Sequence, residues 1–164
     1  MKLGEMLAAQ VERVRGFTLT IAKEFSDGDM MYQPKEGLNH PLWILGHIAL
    51  SQDSLIRAMC CGKEKKRPDW AALFGMKTKP SADRGAYPSR EAILNEMAAI
   101  QRESVEALRA MPDEELFAPL PKGVSGPPFL KMRADAAMLA ISHEGMHQGQ
   151  LLYLRRMLGK PPMM

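Results

Sequence analysis

Four histidines occur in the chain: His40, His47, His143 and His147. His143 and His147 stand four apart, so on a helix they share one face with Cβ atoms roughly 5–6 Å apart. Two imidazoles so placed can converge on one metal ion. The stretch His143-Glu144-Gly145-Met146-His147 fits H-E-x-x-H, which in zinc proteases supplies two ligands and a glutamate base. That reading fails here. The 17 residues after His147 hold no Asp, Glu or His to serve as a third ligand, and Gln150 and Tyr153 stand where the extended motif needs glycine and histidine. The third ligand must come from upstream, and His47 is the candidate. It lies mid-way along Leu42-Trp43-Ile44-Leu45-Gly46-His47-Ile48-Ala49-Leu50, a segment apolar all round and therefore buried. A buried imidazole needs a partner, which is a metal or, more plainly, a backbone carbonyl. Gly46 beside it allows another helix to come close.

His40 precedes His47 by seven residues, about 10 Å along a helix axis, which places it at the entrance rather than on the same ion. Cys60 and Cys61 lie roughly 20 Å further along and are excluded. Three histidines leave a coordination position open, the layout of catalytic rather than structural zinc, and imidazole equally suits nickel, iron or copper. A divalent ion there would bring bound water to a pKa of about 7 or deprotonate a coordinated thiol. Glu144 points about 100° away from His143 and is expected as a supporting or surface group rather than a base. Gln150, three residues after His147, is placed to orient a ligand. Trp43, His40 and Tyr153 are expected as pocket walls.

Four long helical patterns must position these residues. They run over about Leu3–Phe25, His40–Cys61, Arg90–Met111 and Leu130–Leu158, each with apolar residues at helical spacing. Asn39 and Ser89 are suitable N-caps, Pro41 fits a first turn, and Gly62 and Gly159 follow last turns. Residues 62–88 form a long connection with a short helix expected over Pro68–Gly75, and 118–128 form a Pro- and Gly-rich loop. No stretch alternates as a strand would. The expectation is an all-α fold, one domain over residues 1–164, built as a four-helix bundle with long crossover connections.

Composition narrows the rest. The 164 residues are 46% hydrophobic and 25% charged, an ordinary globular balance. A net charge of +3 is too small to indicate nucleic acid. The basic run Lys63-Glu64-Lys65-Lys66-Arg67 has no interleaved aromatic on which bases could stack, and is expected as a solvated loop. Two adjacent cysteines rule out a disulfide scaffold. Met1-Lys2-Leu3-Gly4-Glu5-Met6 lacks the layout of a signal peptide, and no apolar run is long enough for a membrane span. A cytoplasmic setting with no membrane is expected.

Two stretches carry a family resemblance. Asn39-His40-Pro41-Leu42-Trp43-Ile44-Leu45-Gly46-His47-Ile48 resembles the second helix of the DinB-like superfamily with its lone metal histidine. Ser142-His143-Glu144-Gly145-Met146-His147-Gln148-Gly149-Gln150-Leu151, followed by Leu154-Arg155-Arg156-Met157-Leu158-Gly159, is similar to that family's H-x-x-x-H-x-G-Q run. Residues Trp70 to Pro80 and Tyr87-Pro88-Ser89 also look like the family between its second and third helices. The resemblance implies a four-helix bundle, a homodimer, and a divalent metal (zinc, nickel or iron) on His47, His143 and His147. Characterised relatives include thiol-dependent S-transferases, so it also implies a small-molecule substrate, a low-molecular-weight thiol and transferase or hydrolase chemistry. Two other readings stand beside it: a metal-binding or stress-related bundle without turnover, and a helix-mediated homodimer with vestigial histidines.

Overall fold

A computed structural model describes residues 2–163, and these are helical with no strand. Helix α1 spans Leu3–Lys23, α2 Pro41–Gln52, α3 Ala71–Phe74, α4 Arg90–Ala110, α5 Asp113–Leu116 and α6 Arg133–Met157. Helix α2 runs on as a wider π-helical stretch, Asp53–Cys60, so the second long helix is continuous to Cys60 as expected but changes its winding midway. The expected helix over 68–75 is a 3-10 turn, Pro68–Trp70, leading into α3.

Local chemistry accounts for the ends. Ser89 caps α4, its hydroxyl accepting from Ala92 N at 3.0 Å. The cap of α2 is His40, not Asn39: the His40 Nδ1 accepts from Trp43 N at 3.1 Å, and Pro41 occupies the first helical position. The second long helix ends at Gly62, whose φ of +66° is the left-handed conformation a C′ residue needs.

The four long helices form a ring of neighbours. Helices α1 and α2 each pack on α4 and α6, so α1 lies diagonally across from α2 and α4 across from α6. Ends identify the directions. Arg90 at the start of α4 holds the carbonyls of Ala22 and Phe25 at the end of α1, making that pair antiparallel. Glu24 pairs with Arg155 while Arg15 pairs with Glu144, so α1 and α6 run parallel. Asn39 reaches Gln150 and Arg133 reaches the Cys60 carbonyl, so α2 and α6 are antiparallel. Of the sequential pairs, α1–α2 and α4–α6 are therefore diagonal, while α2 and α4 are parallel neighbours, so residues 61–89 return along the length of the bundle between them.

Two apolar clusters fill the interior. One gathers Ile21, Phe25, Leu42, Ile44, Ile48, Trp70, Phe74, Ile93 and Leu151, and the other Leu7, Val11, Ile56, Val105, Leu108, Leu116 and Ala137. Along each long helix the boundary between them falls at a buried polar residue: Arg15, Gln52, Ser104 and Glu144. The histidines sit at this level.

Candidate metal centre

Helix α2 brings His47 to the bundle wall opposite His143 and His147 on α6. The Nε2 atoms of His47 and His143 lie 3.2 Å apart, as do those of His143 and His147. One ring nitrogen from each of the three falls within 4.8 Å of the others. Edges of a tetrahedron with metal–nitrogen bonds of 2.0–2.1 Å are roughly 3.3–3.4 Å long, close to these separations.

Hydrogen bonds at the far side of the rings decide which nitrogen is free. His47 Nδ1 is 2.6 Å from the carbonyl oxygen of Phe74, which can only accept, so Nδ1 carries the proton and Nε2 the lone pair. His147 Nδ1 donates to Gln150 Oε1 at 3.0 Å, leaving its Nε2 likewise bare. Gln150 is itself held, accepting from Asn39 Nδ2 at 3.1 Å. His143 can satisfy only one of the other two as an Nε2–H donor, after which a lone pair still faces a lone pair. A cation satisfies all three. The donor set therefore fits a divalent metal, with Phe74 and Gln150 as the outer hydrogen-bond acceptors that metal-ligating histidines require.

Burial keeps the imidazoles neutral and ready to coordinate. It lowers the pKa of His143 to about 4, with the nearby His47 adding to the effect. It lowers that of His147 to about 4 as well, the positive charges of His143 and His47 contributing and Gln150 opposing. His47 shifts the same way, burial outweighing its bond to Phe74.

The supporting residues fall in places that sequence spacing does not foresee. Trp43 is no pocket wall: its ring stacks on the back of His47 at 4.6 Å between centroids and 10° between planes, and its Nε1–H donates to Leu73 O at 3.0 Å. His40 is not at the entrance but fully buried, its Nε2 3.1 Å from Ser81 O. Glu144 is neither at the surface nor against the histidines. It turns about 100° round α6 and is buried against Arg15, with Nε–Oε1 at 2.8 Å and Nη2–Oε2 at 3.1 Å, and accepts from Thr18 Oγ1 at 2.6 Å. Tyr153 is exposed and lines a separate groove of about 790 Å³ with Gln150, Met146 and Met157. Gly46 admits the Phe74 ring rather than a long helix.

A cavity of about 490 Å³ opens on His47 and His143 and is lined by Ser51, Ser54, Leu55, Met59, Lys77 and Leu139 among others. Sequence reasoning missed this wall. The signal was present: Ser51 and Ser54 follow His47 by four and seven residues, and Leu139 precedes His143 by four, so each shares a face with one of these histidines.

The sequence profile of the DinB superfamily matches residues 10–151. A crystal structure of a conserved protein from Enterococcus faecalis is similar over 98% of this chain and 99% of its own, at a TM-score of 0.72 and 18% identity, a likeness of fold. No curated protein matches. With the profile covering most of its length and the same fold in a solved structure, the chain belongs to the DinB superfamily.

Proposed function

We propose that the protein is a divalent-metal-dependent enzyme acting on a small molecule, a thiol-dependent S-transferase or a related hydrolase. One observation carries the reading: three Nε2 atoms converge, with the tautomers of His47 and His147 set from behind, beside an open cavity that His47 and His143 line. His47, His143 and His147 would hold the ion. A metal there supplies Lewis acidity and a nucleophile at neutral pH, from water or from a thiol.

The chain's own residues do the rest. Phe74 O and Gln150 Oε1 take the Nδ1 protons and hold the rings in register. Trp43 covers the inner face of His47 and keeps water from that side. The apolar part of the cavity lining, Leu50, Leu55 and Leu139, offers a surface for the apolar part of a substrate. No carboxylate lines the cavity, so proton transfer by Glu144 is not part of this mechanism. Zinc, nickel and iron all suit imidazole donors.

The reading treats residues 1–164 as one domain, supported by core clusters that all four long helices share. It places the protein in a reducing cytoplasm, in keeping with free Cys60 and Cys61 and with no described helix long and apolar enough to cross a membrane. It takes the active form as a homodimer, for which the exposed Met146, Tyr153 and Met157 offer an apolar face on α6.

Elemental mass spectrometry of untagged protein tests the reading. Near-stoichiometric metal is expected in the native chain and none in His143→Ala/His147→Ala. Transfer of a thiol to an electrophile, or hydrolysis, should require that metal. Equal metal content in His47→Ala and the native protein would refute the ligand set.

A further inference from the structure

The cavity beside His47 and His143 has a charge asymmetry that the metal centre does not explain. Its walls are apolar over Leu50, Leu55, Met59, Pro127 and Leu139. Its charged lining is two lysines, Lys65 and Lys77, with no aspartate or glutamate. Lys65 belongs to the basic run that composition alone assigns to a solvated loop. Its neighbours in that run are engaged: Lys66 pairs with Glu103 at 2.6 Å, and Arg67 with Asp69 at 2.6 Å and Glu96 at 3.4 Å. Asp53 holds this loop by accepting from the backbone N–H groups of Lys66 at 3.1 Å and Arg67 at 3.0 Å. Lys65 is thereby presented to the cavity, and among the described residues neither it nor Lys77 has a carboxylate partner.

Two hydroxyls, those of Ser51 and Ser54, also line the cavity. Ser104 and Ser142 donate to carbonyls of their own helices, at 2.7 Å and 3.1 Å. Ser51 and Ser54 make no such bond among the described residues, and both line the cavity. A cleft with low-dielectric walls and one sign of charge focuses its field on ions of the opposite sign. Three neutral imidazoles contribute no negative charge to offset it.

We propose that this cavity takes a small amphiphile with one acidic group, its apolar body against Leu50, Leu55 and Leu139 and its acidic group held by Lys65 and Lys77. That this molecule is the substrate rests on the metal-enzyme reading; the binding preference does not.

Calorimetric titration of the full chain, stripped of metal by chelation at pH 7, with octanoate, 1-octanol and octylamine separates the two. Octanoate should bind at least tenfold tighter than either of the others. Lys65→Gln/Lys77→Gln should abolish that preference while leaving octanol affinity and metal content unchanged. Equal binding of octylamine and octanoate, no binding of any probe, or a preference that survives in the double variant would overturn the proposal. A chain that takes up no metal yet prefers octanoate would sink the metal-enzyme reading and support this one; metal uptake without the preference would do the reverse.

Discussion

Glu144 sits one position from His143, and on a helix that step is about 100°. The rotation carries its carboxylate out of the metal centre and into the core, where Arg15 and Thr18 hold it. The H-E-x-x-H string here thus encodes two structures about 100° apart on one helix, a pair of histidines facing His47 and a buried ion pair. Both charges are nearly inaccessible, at 1% for the Arg15 side chain and 6% for Glu144. Removing one partner of such a pair strands the other and costs about 3–5 kcal/mol. Glu144→Gln is therefore expected to lower stability by that order in denaturant unfolding, while metal stoichiometry stays at the native value. A stable Glu144→Gln protein without turnover would instead mark the residue as a base. Gln150 is the converse case. It is exposed at the surface yet fixes the tautomer of His147. Outer partners of metal-ligating histidines are worth about 10–100-fold in affinity. Gln150→Ala should weaken metal binding by that factor in a competition titration with unchanged helical circular dichroism; native affinity would show that Gln150 plays no part.

Elements were far more legible in the sequence than the contacts between them. The long helices begin and end close to where apolar spacing, Ser89, Gly62 and Gly159 put them, because those signals are local. The convergence of His143 and His147 was legible for the same reason, the two being one turn apart, and His47 joins them across the bundle. What could not be read was what meets what. The partner of Gly46 is Phe74, 28 residues away, and no local pattern announces it. His40 and Glu144 were misplaced because each one's role is set by a residue on another element, Ser81 and Arg15, whereas Trp43 stacks on His47 one turn along its own helix. The Gly46–Phe74 contact makes a test at this scale. A Cβ on Gly46 would fall 2.3 Å from Cε1 of Phe74, whereas one on Gly149, in exposed α6, would meet nothing within 4 Å. Alanine for helical glycine ordinarily stabilises by about 1 kcal/mol, as Gly149→Ala should. Gly46→Ala should have the opposite sign, costing about 1–3 kcal/mol of overpacking, and should weaken metal binding because the displaced Phe74 carries the carbonyl that orients His47. Thermal melts and metal titrations of the two variants decide it; equal signs would mean that the Phe74 contact is slack.

At the scale of the molecule, the buried histidine cluster is a weakness in the fold when no ion is bound. Folding takes His143 and His147 from water, where imidazole titrates near 6.5, to a setting in which both titrate at about 4. Between those values the unfolded chain binds more protons than the folded one, so stability rises with pH across the window and is lost as pH falls from about 6.5 to about 4. Above it both states are neutral and the dependence vanishes. His47 and His40 shift in the same direction and add to the slope. The carboxylates with lowered values, Asp29, Asp69 and Glu103, lose their contribution as pH falls through their ordinary range, so they act in the same direction at the lower edge of this window and below it. An ion on the three Nε2 atoms competes with protons for the same lone pairs, and its binding to the folded state alone stabilises that state by mass action. Chelated protein should therefore melt at steadily lower temperature as pH is taken from 7 to 4.5. Protein with excess zinc should resist that decline until protons displace the metal. His143→Ala/His147→Ala, lacking both groups, should show a shallower dependence than the chelated native chain and no response to zinc. A flat melting temperature in the chelated protein would mean that these imidazoles are hydrated when metal-free, and that the three lone pairs do not face one another across a dry site.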